Sequence, residues 1–149
     1  MTIFKKSFEV HFSDIDAYQH VTHTSYTTFA TNTRIAWMNH IGLPLMTLFN
    51  SGYAAVLMKE QTEFFREILM GENISVALKL LGASNDYSAW KFIHDIYKEN
   101  GKLSAIYTVQ GVWIDAISRK ITTPPKKLID QLQTIMSVDE FEELPNPKR

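Results

Sequence analysis

The sequence predicts an α+β domain in which an antiparallel five-stranded sheet wraps around one long central helix. Two observations lead to this prediction. Apolar residues recur at spacings of three and four from Tyr26 to Ile41, as on one face of a helix, whereas several other runs alternate apolar and polar residues as strands do. The resulting order is one strand, one long helix and four strands joined mostly by tight connections, which favours a sheet that covers the helix.

Each predicted element has its own signal. In the first strand, apolar residues alternate with polar ones at Phe4, Phe8, Val10 and Phe12. The helix is predicted to stop at Gly42, which suits a left-handed cap, with Pro44 soon after. The four later strands are predicted within 53–66, 74–80, 90–96 and 102–115, and Asn100 with Gly101 is the strongest hairpin signal in the chain. A short last helix is predicted over 126–136.

Length and composition restrict the class of protein. The 149 residues fit one domain, predicted as residues 1–137, followed by a charged tail at 138–149. The net charge of −1 creates no field that favours nucleic acid, and the absence of cysteine excludes disulfides and a Cys nucleophile. The sequence has neither the ~18 consecutive apolar residues of a membrane span nor an apolar signal core. We therefore expect a cytoplasmic protein that binds neither nucleic acid nor membrane.

The most informative stretch is 12–26, which places two aspartates, two histidines and several hydroxyl groups directly before the predicted helix. The start of a helix leaves backbone N–H groups unpaired and favours negative charge. A carboxylate next to such groups suits hydrolysis of an activated acyl group, because a base or nucleophile then stands beside an oxyanion site.

This stretch resembles the Phe-x-Asp-x-Asp-x-x-Gly-His-Val-Asn-Asn-x-x-Tyr signature of the 4-hydroxybenzoyl-CoA thioesterase-like family, acyl-CoA thioesterases with the hotdog fold. The matching residues are Phe12, Asp14, Asp16, His20, Val21 and Tyr26. Weaker similarity at 64–66, 71–72, 100–102 and 115–124 extends the resemblance over roughly residues 5–130. The sequence departs from the signature at Gln19, where glycine is usual, and at Thr22 and His23, which replace an asparagine pair. The helix also lacks the glutamate that many members carry before the arginine, here Arg34.

The resemblance implies that the protein hydrolyses acyl-CoA or acyl-carrier thioesters to free acid and thiol. Asp16 is then the catalytic general base or nucleophile, although a carboxylate here could also simply cap a turn. Backbone N–H groups at His23 and Thr24 are the expected oxyanion hole. The residues expected to contact substrate are His20, Thr22, Tyr26, Glu63, Arg66, Asn85 and Ser88. No metal or other cofactor is expected, because coenzyme A enters as part of the substrate.

The expected assembly follows from the open edges of a single sheet. Edge pairing with a second copy favours a homodimer joined by sheet edges, or a homotetramer of such dimers.

Two other functions stay open: a non-catalytic acyl-thioester-binding protein, and a hotdog enoyl-thioester hydratase or dehydratase, for which Asp16 and His20 have suitable spacing. A metal site is disfavoured because the His spacing matches no helical His pair of the Glu-bearing zinc type, and a Ser-His-Asp hydrolase because no Gly-x-Ser-x-Gly occurs.

Overall fold

The structure is a computed structural model that describes residues 3–148. Its strands are β1 (Phe4–Glu9), β2 (Tyr53–Phe64), β3 (Asn73–Ala83), β4 (Ala89–Tyr97), β5 (Leu103–Asp115) and β6 (Glu142–Glu143). Its helices are α1 (His23–His40), α2 (Leu45–Asn50) and α3 (Lys126–Thr134), with a 3-10 turn at Phe12–Asp14. The strand order is β1-β3-β4-β5-β2, and each of these pairs is antiparallel. The predicted α+β class with an antiparallel sheet is confirmed.

The predicted count of five strands is wrong, because the charged tail contributes β6. Gly82 and Ala83 pair with this short strand in parallel, and the Leu144 N–H donates to the Ala83 carbonyl at 2.9 Å. Glycine at position 82 permits the approach, since a Cβ there would stand 2.8 Å from the Glu142 carbonyl oxygen. Two consecutive glutamates give no strand pattern, so the sequence carried no signal for this element.

Helix α1 packs against the sheet with a buried face whose members recur at helical spacing: Tyr26, Phe29, Ala30, Thr33, Trp37 and Met38. It begins at His23, because the extended backbone of Thr22 (φ −67°, ψ 147°) forms its N-cap. It ends as predicted before Gly42, whose φ of 77° is left-handed. Helix α2, which follows Pro44, was not predicted; six residues are too few to show a period.

The core has two parts along α1. The C-terminal half of the helix packs with α2, α3 and the middle of the sheet, where three tryptophans are buried: Trp37, Trp90 and Trp113. The N-terminal half packs in a second cluster formed by Val10, Val21, Tyr26, Phe29, Ile68, Ile74, Val76, Ile96 and Ala105. This second cluster supports the loop that carries the signature residues.

The sheet is edged by β1 and β2. On β2 large apolar side chains are exposed, among them Leu57 and Met58 beside a β-bulge.

Within residues 3–148, no helix is both long and apolar enough to cross a membrane.

Candidate active site

A surface cleft of about 410 Å³ opens at the start of α1. Its wall consists of Asp16, His20, Val21, His23, Tyr26, Phe64, Phe65, Arg66 and Glu67. The start of α1 with the loop before it forms one side of the cleft, and the end of β2 with the segment after it forms the other. Five of the ten residues predicted for the site lie in this wall: Asp16, His20, His23, Tyr26 and Arg66.

Asp16 stands in a tight turn with its carboxylate exposed to the cleft. Its Oδ1 accepts a hydrogen bond from the Tyr18 N–H at 2.9 Å, and its own N–H donates to the His20 carbonyl at 2.9 Å. Among the described residues, no donor reaches Oδ2. One carboxylate oxygen thus fixes the side chain in the turn, while the other remains available to water or a ligand.

The turn needs a left-handed residue, and Gln19 takes that conformation with a φ of 65°. Its N–H donates to the Asp16 carbonyl at 3.0 Å. Glycine adopts this backbone region without steric cost, which explains why the signature has glycine at this position.

Backbone hydrogen bonds tie the loop to the segment after β2. The Val21 N–H donates to the Ile68 carbonyl at 2.8 Å, and His20 forms an isolated antiparallel bridge with Leu69. Asp14 holds the loop from the other side: its Oδ2 accepts the His11 N–H at 2.9 Å, and its Oδ1 accepts the Ser25 hydroxyl at 3.3 Å.

The start of α1 supplies free donors beside Asp16. His23 and Thr24 are the first two residues of the helix, and within residues 3–148 neither backbone N–H has a hydrogen-bond acceptor. The helix dipole adds partial positive charge at this end. An anionic oxygen in the cleft near His23 would be stabilised by both effects.

Tyr26 of α1 contacts the opposite side of the cleft, and Arg66 fixes that side. The Tyr26 ring packs edge-on against Phe64, with centroids 5.1 Å apart, and burial raises the pKa of its hydroxyl. Arg66 donates through Nη1 to the Leu103 carbonyl at 2.8 Å, while its own carbonyl accepts the Ser104 hydroxyl at 2.6 Å. Arg66 is exposed, so its remaining guanidinium donors face solvent at the cleft.

Glu72 fixes the chain beneath this side. Burial acts to raise the pKa of its carboxyl, but hydrogen bonds from the Leu69 and Glu99 N–H groups and from Lys98 outweigh burial and lower it. The segment that anchors His20 is thereby held by an ionised carboxylate.

The other predicted site residues lie outside the cleft wall: Thr22, Thr24, Glu63, Asn85 and Ser88. Thr22 and Thr24 flank His23 at the helix start, and Glu63 adjoins Phe64 on β2. The loop with Asn85 and Ser88 is at the far end of the sheet. Phe64 is in register with Ala105, which pairs with Ile96, and seven residues of strand, roughly 23 Å, separate Ile96 from Ala89.

In this distant loop, the Ser88 hydroxyl donates to Asp86 Oδ1 at 2.6 Å, and the Ser84 hydroxyl donates to the same atom at 2.9 Å. Burial tends to raise the pKa of Asp86, but these two hydroxyls and the Ser88 N–H lower it on balance. Ser88 is therefore engaged within its own loop.

Four residues of the wall were not among the predicted site residues: Val21, Phe64, Phe65 and Glu67. Val21 matches the signature, and Phe64 and Phe65 lie inside segment 64–66 of the resemblance, so a signal was available for these three. Glu67 has no sequence signal.

Among residues 3–148, no three His, Asp or Glu side chains are grouped so that they could hold a metal ion.

The fold agrees with comparisons to known proteins. The sequence matches the family model of the thioesterase-like superfamily over residues 10–132, and the protein belongs to that family. The predicted membership in a hotdog thioesterase family is thereby confirmed. The sequence has no significant match among curated proteins.

Similar solved structures include a 1,4-dihydroxy-2-naphthoyl-CoA thioesterase from Synechocystis, with a TM-score of 0.82 and 19% identity over 89% of this chain and 96% of that one. A hypothetical protein from Staphylococcus aureus in complex with CoA has a TM-score of 0.82 and 20% identity over 99% of this chain and 90% of that one. A gentisyl-coenzyme A thioesterase has a TM-score of 0.75 and 16% identity over 86% of this chain and 98% of that one. At these identities the likeness establishes the fold.

Proposed function

We propose that the protein hydrolyses acyl-CoA or acyl-carrier thioesters to free acid and thiol. The observation that carries this proposal is that one cleft holds both an exposed carboxylate, on Asp16, and the start of α1 with its unpaired N–H groups. Membership in the thioesterase-like superfamily and the CoA bound to a protein of the same fold support it.

In the proposed reaction the thioester carbonyl oxygen points at the His23 and Thr24 N–H groups, which stabilise the tetrahedral oxyanion. Asp16 acts in one of two ways. As a base it takes a proton from water, whose oxygen attacks the carbonyl carbon; the C–S bond then breaks and the proton goes to the thiolate. As a nucleophile it attacks the carbonyl carbon, the C–S bond breaks and the thiolate leaves; water then hydrolyses the acyl-enzyme anhydride to the free acid and the Asp16 carboxylate, and a proton of that water goes to the thiolate. Neither route requires a metal or a redox cofactor.

The other predicted residues have supporting roles in this proposal. His20, Tyr26 and Arg66 contact the thioester or the coenzyme A moiety from the cleft wall, and Thr22 and Glu63 border it. Because Asn85 and Ser88 are distant from the cleft of their own protomer, they would contact substrate in the cleft of a partner.

The proposed assembly is a homodimer joined along the β2 edge, or a homotetramer of such dimers, in the cytoplasm.

One contact favours a second candidate, a non-catalytic acyl-thioester-binding protein. The bond from the Tyr18 N–H to Asp16 Oδ1 is also what a purely turn-capping aspartate makes. A hotdog enoyl-thioester hydratase is the third candidate, since His20 lines the cleft together with Asp16.

Thiol release from short, long and aromatic acyl-CoAs, followed with a thiol-reactive dye, tests the proposal. The chain has no cysteine, so the protein gives no background signal. Release from at least one substrate, with formation of the free acid, is the expected result. Hydration of an enoyl-CoA without thiol release would identify the hydratase, and binding of the panel without reaction would identify the binder; either outcome would overturn the proposal.

A further inference from the structure

A second cavity, of about 210 Å³, lies beside the C-terminal half of α1, between that helix, the sheet and α3. It shares no wall residue with the cleft at Asp16. Its wall is mainly apolar and aromatic, with Trp37, Trp90, Phe92 and Trp113 among its members. Apart from the indoles, Thr31 and Arg34 are the polar residues of the described wall.

Arg34 is a largely buried cation whose hydrogen-bond partners are neutral. Its Nη1 donates to His94 Nε2 at 3.0 Å, and its Nη2 donates to the Thr31 hydroxyl at 3.3 Å. Within residues 3–148 it forms no ion pair with a carboxylate. The acidic group that acts on it electrostatically is Glu60, whose carboxylate accepts a hydrogen bond from the Tyr107 hydroxyl at 2.9 Å.

The guanidinium therefore has spare donors. It carries five N–H groups, and its hydrogen bonds within residues 3–148 are those to His94 and Thr31. A positive charge with neutral partners at the wall of an apolar cavity is most strongly stabilised by an anion that enters the cavity.

The tryptophans supply apolar surface to the wall. Trp90 and Trp113 are 3% and 5% exposed, and their Nε1–H groups are buried out of reach of a water-sized molecule, so these indoles offer the cavity apolar surface and not donors. The wall thus combines apolar surface with the Arg34 guanidinium, which suits a ligand with an apolar body and an anionic group.

The size of the cavity fits a small acid. An engineered apolar cavity of about 150 Å³ binds benzene. The present cavity, of about 210 Å³, is larger than that and accommodates hexanoate, which has two more heavy atoms than benzene.

We propose that this cavity binds an apolar carboxylate, with the hydrocarbon chain against the tryptophans and Phe92 and the carboxylate on Arg34. The ligand is a free monocarboxylic acid, so this inference does not depend on the proposed thioesterase function.

Binding of hexanoate tests the site directly, because all three tryptophans of the chain line the cavity and report on it by fluorescence. We expect a saturable change in emission with hexanoate and an affinity for hexanol at least about tenfold weaker, as for loss of a charge-assisted hydrogen bond. Arg34→Gln should bring the affinity for hexanoate down to that for hexanol, while Arg119→Gln, an exposed arginine outside the cavity, should not. Equal affinities for hexanoate and hexanol in the unmodified protein, or no saturable change, would overturn the proposal even if Arg34→Gln failed to fold.

The fluorescence titration does not require a thioester to be hydrolysed. If no thioester is hydrolysed, it still decides whether the cavity binds a carboxylate, so failure of the proposed function and failure of this inference are distinguishable.

Discussion

In the core, Nη1 of Arg34 lies 3.0 Å from Nε2 of His94. A guanidinium can only donate, so Nε2 accepts, and the proton is on Nδ1, which donates to the Tyr107 carbonyl at 2.9 Å. Burial, together with the charge on Arg34, lowers the pKa of His94 to about 3. The folded protein therefore requires a neutral imidazole at this position.

His94 makes the stability of the fold sensitive to mild acid. Its pKa in the folded state lies below the ordinary value of 6.5, so between these values the unfolded chain binds more protons and folding stability falls as pH falls. We expect the free energy of unfolding to decrease by about 2 kcal/mol from pH 7 to pH 5 through this group. Urea unfolding at both pH values measures it.

The control for this prediction is His94→Gln, which cannot titrate and should lose most of the decrease. An equal decrease in His94→Gln and in the unmodified protein would assign the pH dependence to other groups.

Gln19 holds a left-handed backbone that a side chain disfavours. Gln19→Gly should raise the free energy of unfolding by about 0.5–1 kcal/mol, because removal of the steric cost outweighs the added flexibility of glycine. Gln19→Ala keeps a Cβ and should bring no such gain. Chemical denaturation of the three proteins measures the difference, and equal gains for glycine and alanine would show that the turn conformation is not the cause.

The oxyanion proposal can be tested by removing a single N–H group. His23 is the first residue of α1, where proline is well tolerated, and the extended Thr22 before it suits a residue that precedes proline. His23→Pro should lower kcat for thioester hydrolysis by roughly a hundredfold or more if this N–H binds the oxyanion. His23→Ala also lacks the imidazole but retains the N–H, so it should keep most of kcat. Unchanged kcat in His23→Pro would exclude this donor.

The β2 edge is the proposed interface between protomers. Met58 is 67% exposed beside the β-bulge of this edge, and a charge on an edge strand opposes pairing with a second copy. Met58→Lys should therefore shift the protein to the monomer mass in analytical ultracentrifugation. Ile117→Lys, at a residue 91% exposed outside the sheet, is the matched control and should remain dimeric. The edge assignment would fail if Met58→Lys kept the dimer mass.

The parts of the fold that could be predicted are those whose residues repeat a pattern. The buried face of α1, the stop at Gly42 and the hairpin at Gly101, which has a φ of 84°, follow from local periodicity and backbone preference. Strand β6 could not be predicted, because its pairing depends on the space left by Gly82 on a distant strand.

The same division holds for the candidate site. The signature pointed to Asp16, His20 and Tyr26, which share one cleft. Glu67 lies in the cleft wall because of the path that the chain takes after β2, which no local pattern predicts. The hydrogen bond between Arg34 and His94 joins residues 60 positions apart, so it has no local signal either.

The central claim is that Asp16 carries the chemistry, and Asp16→Asn tests it most directly. An asparagine oxygen can still accept the Tyr18 N–H, so the turn should be retained, as circular dichroism and the Tm can verify. With the best acyl-CoA of the panel, we expect Asp16→Asn to lower kcat/KM for thiol release by about a hundredfold or more, and Asp130→Asn, on the exposed side of α3, to leave it unchanged. Folded Asp16→Asn protein that releases thiol at the wild-type rate would contradict the proposed mechanism.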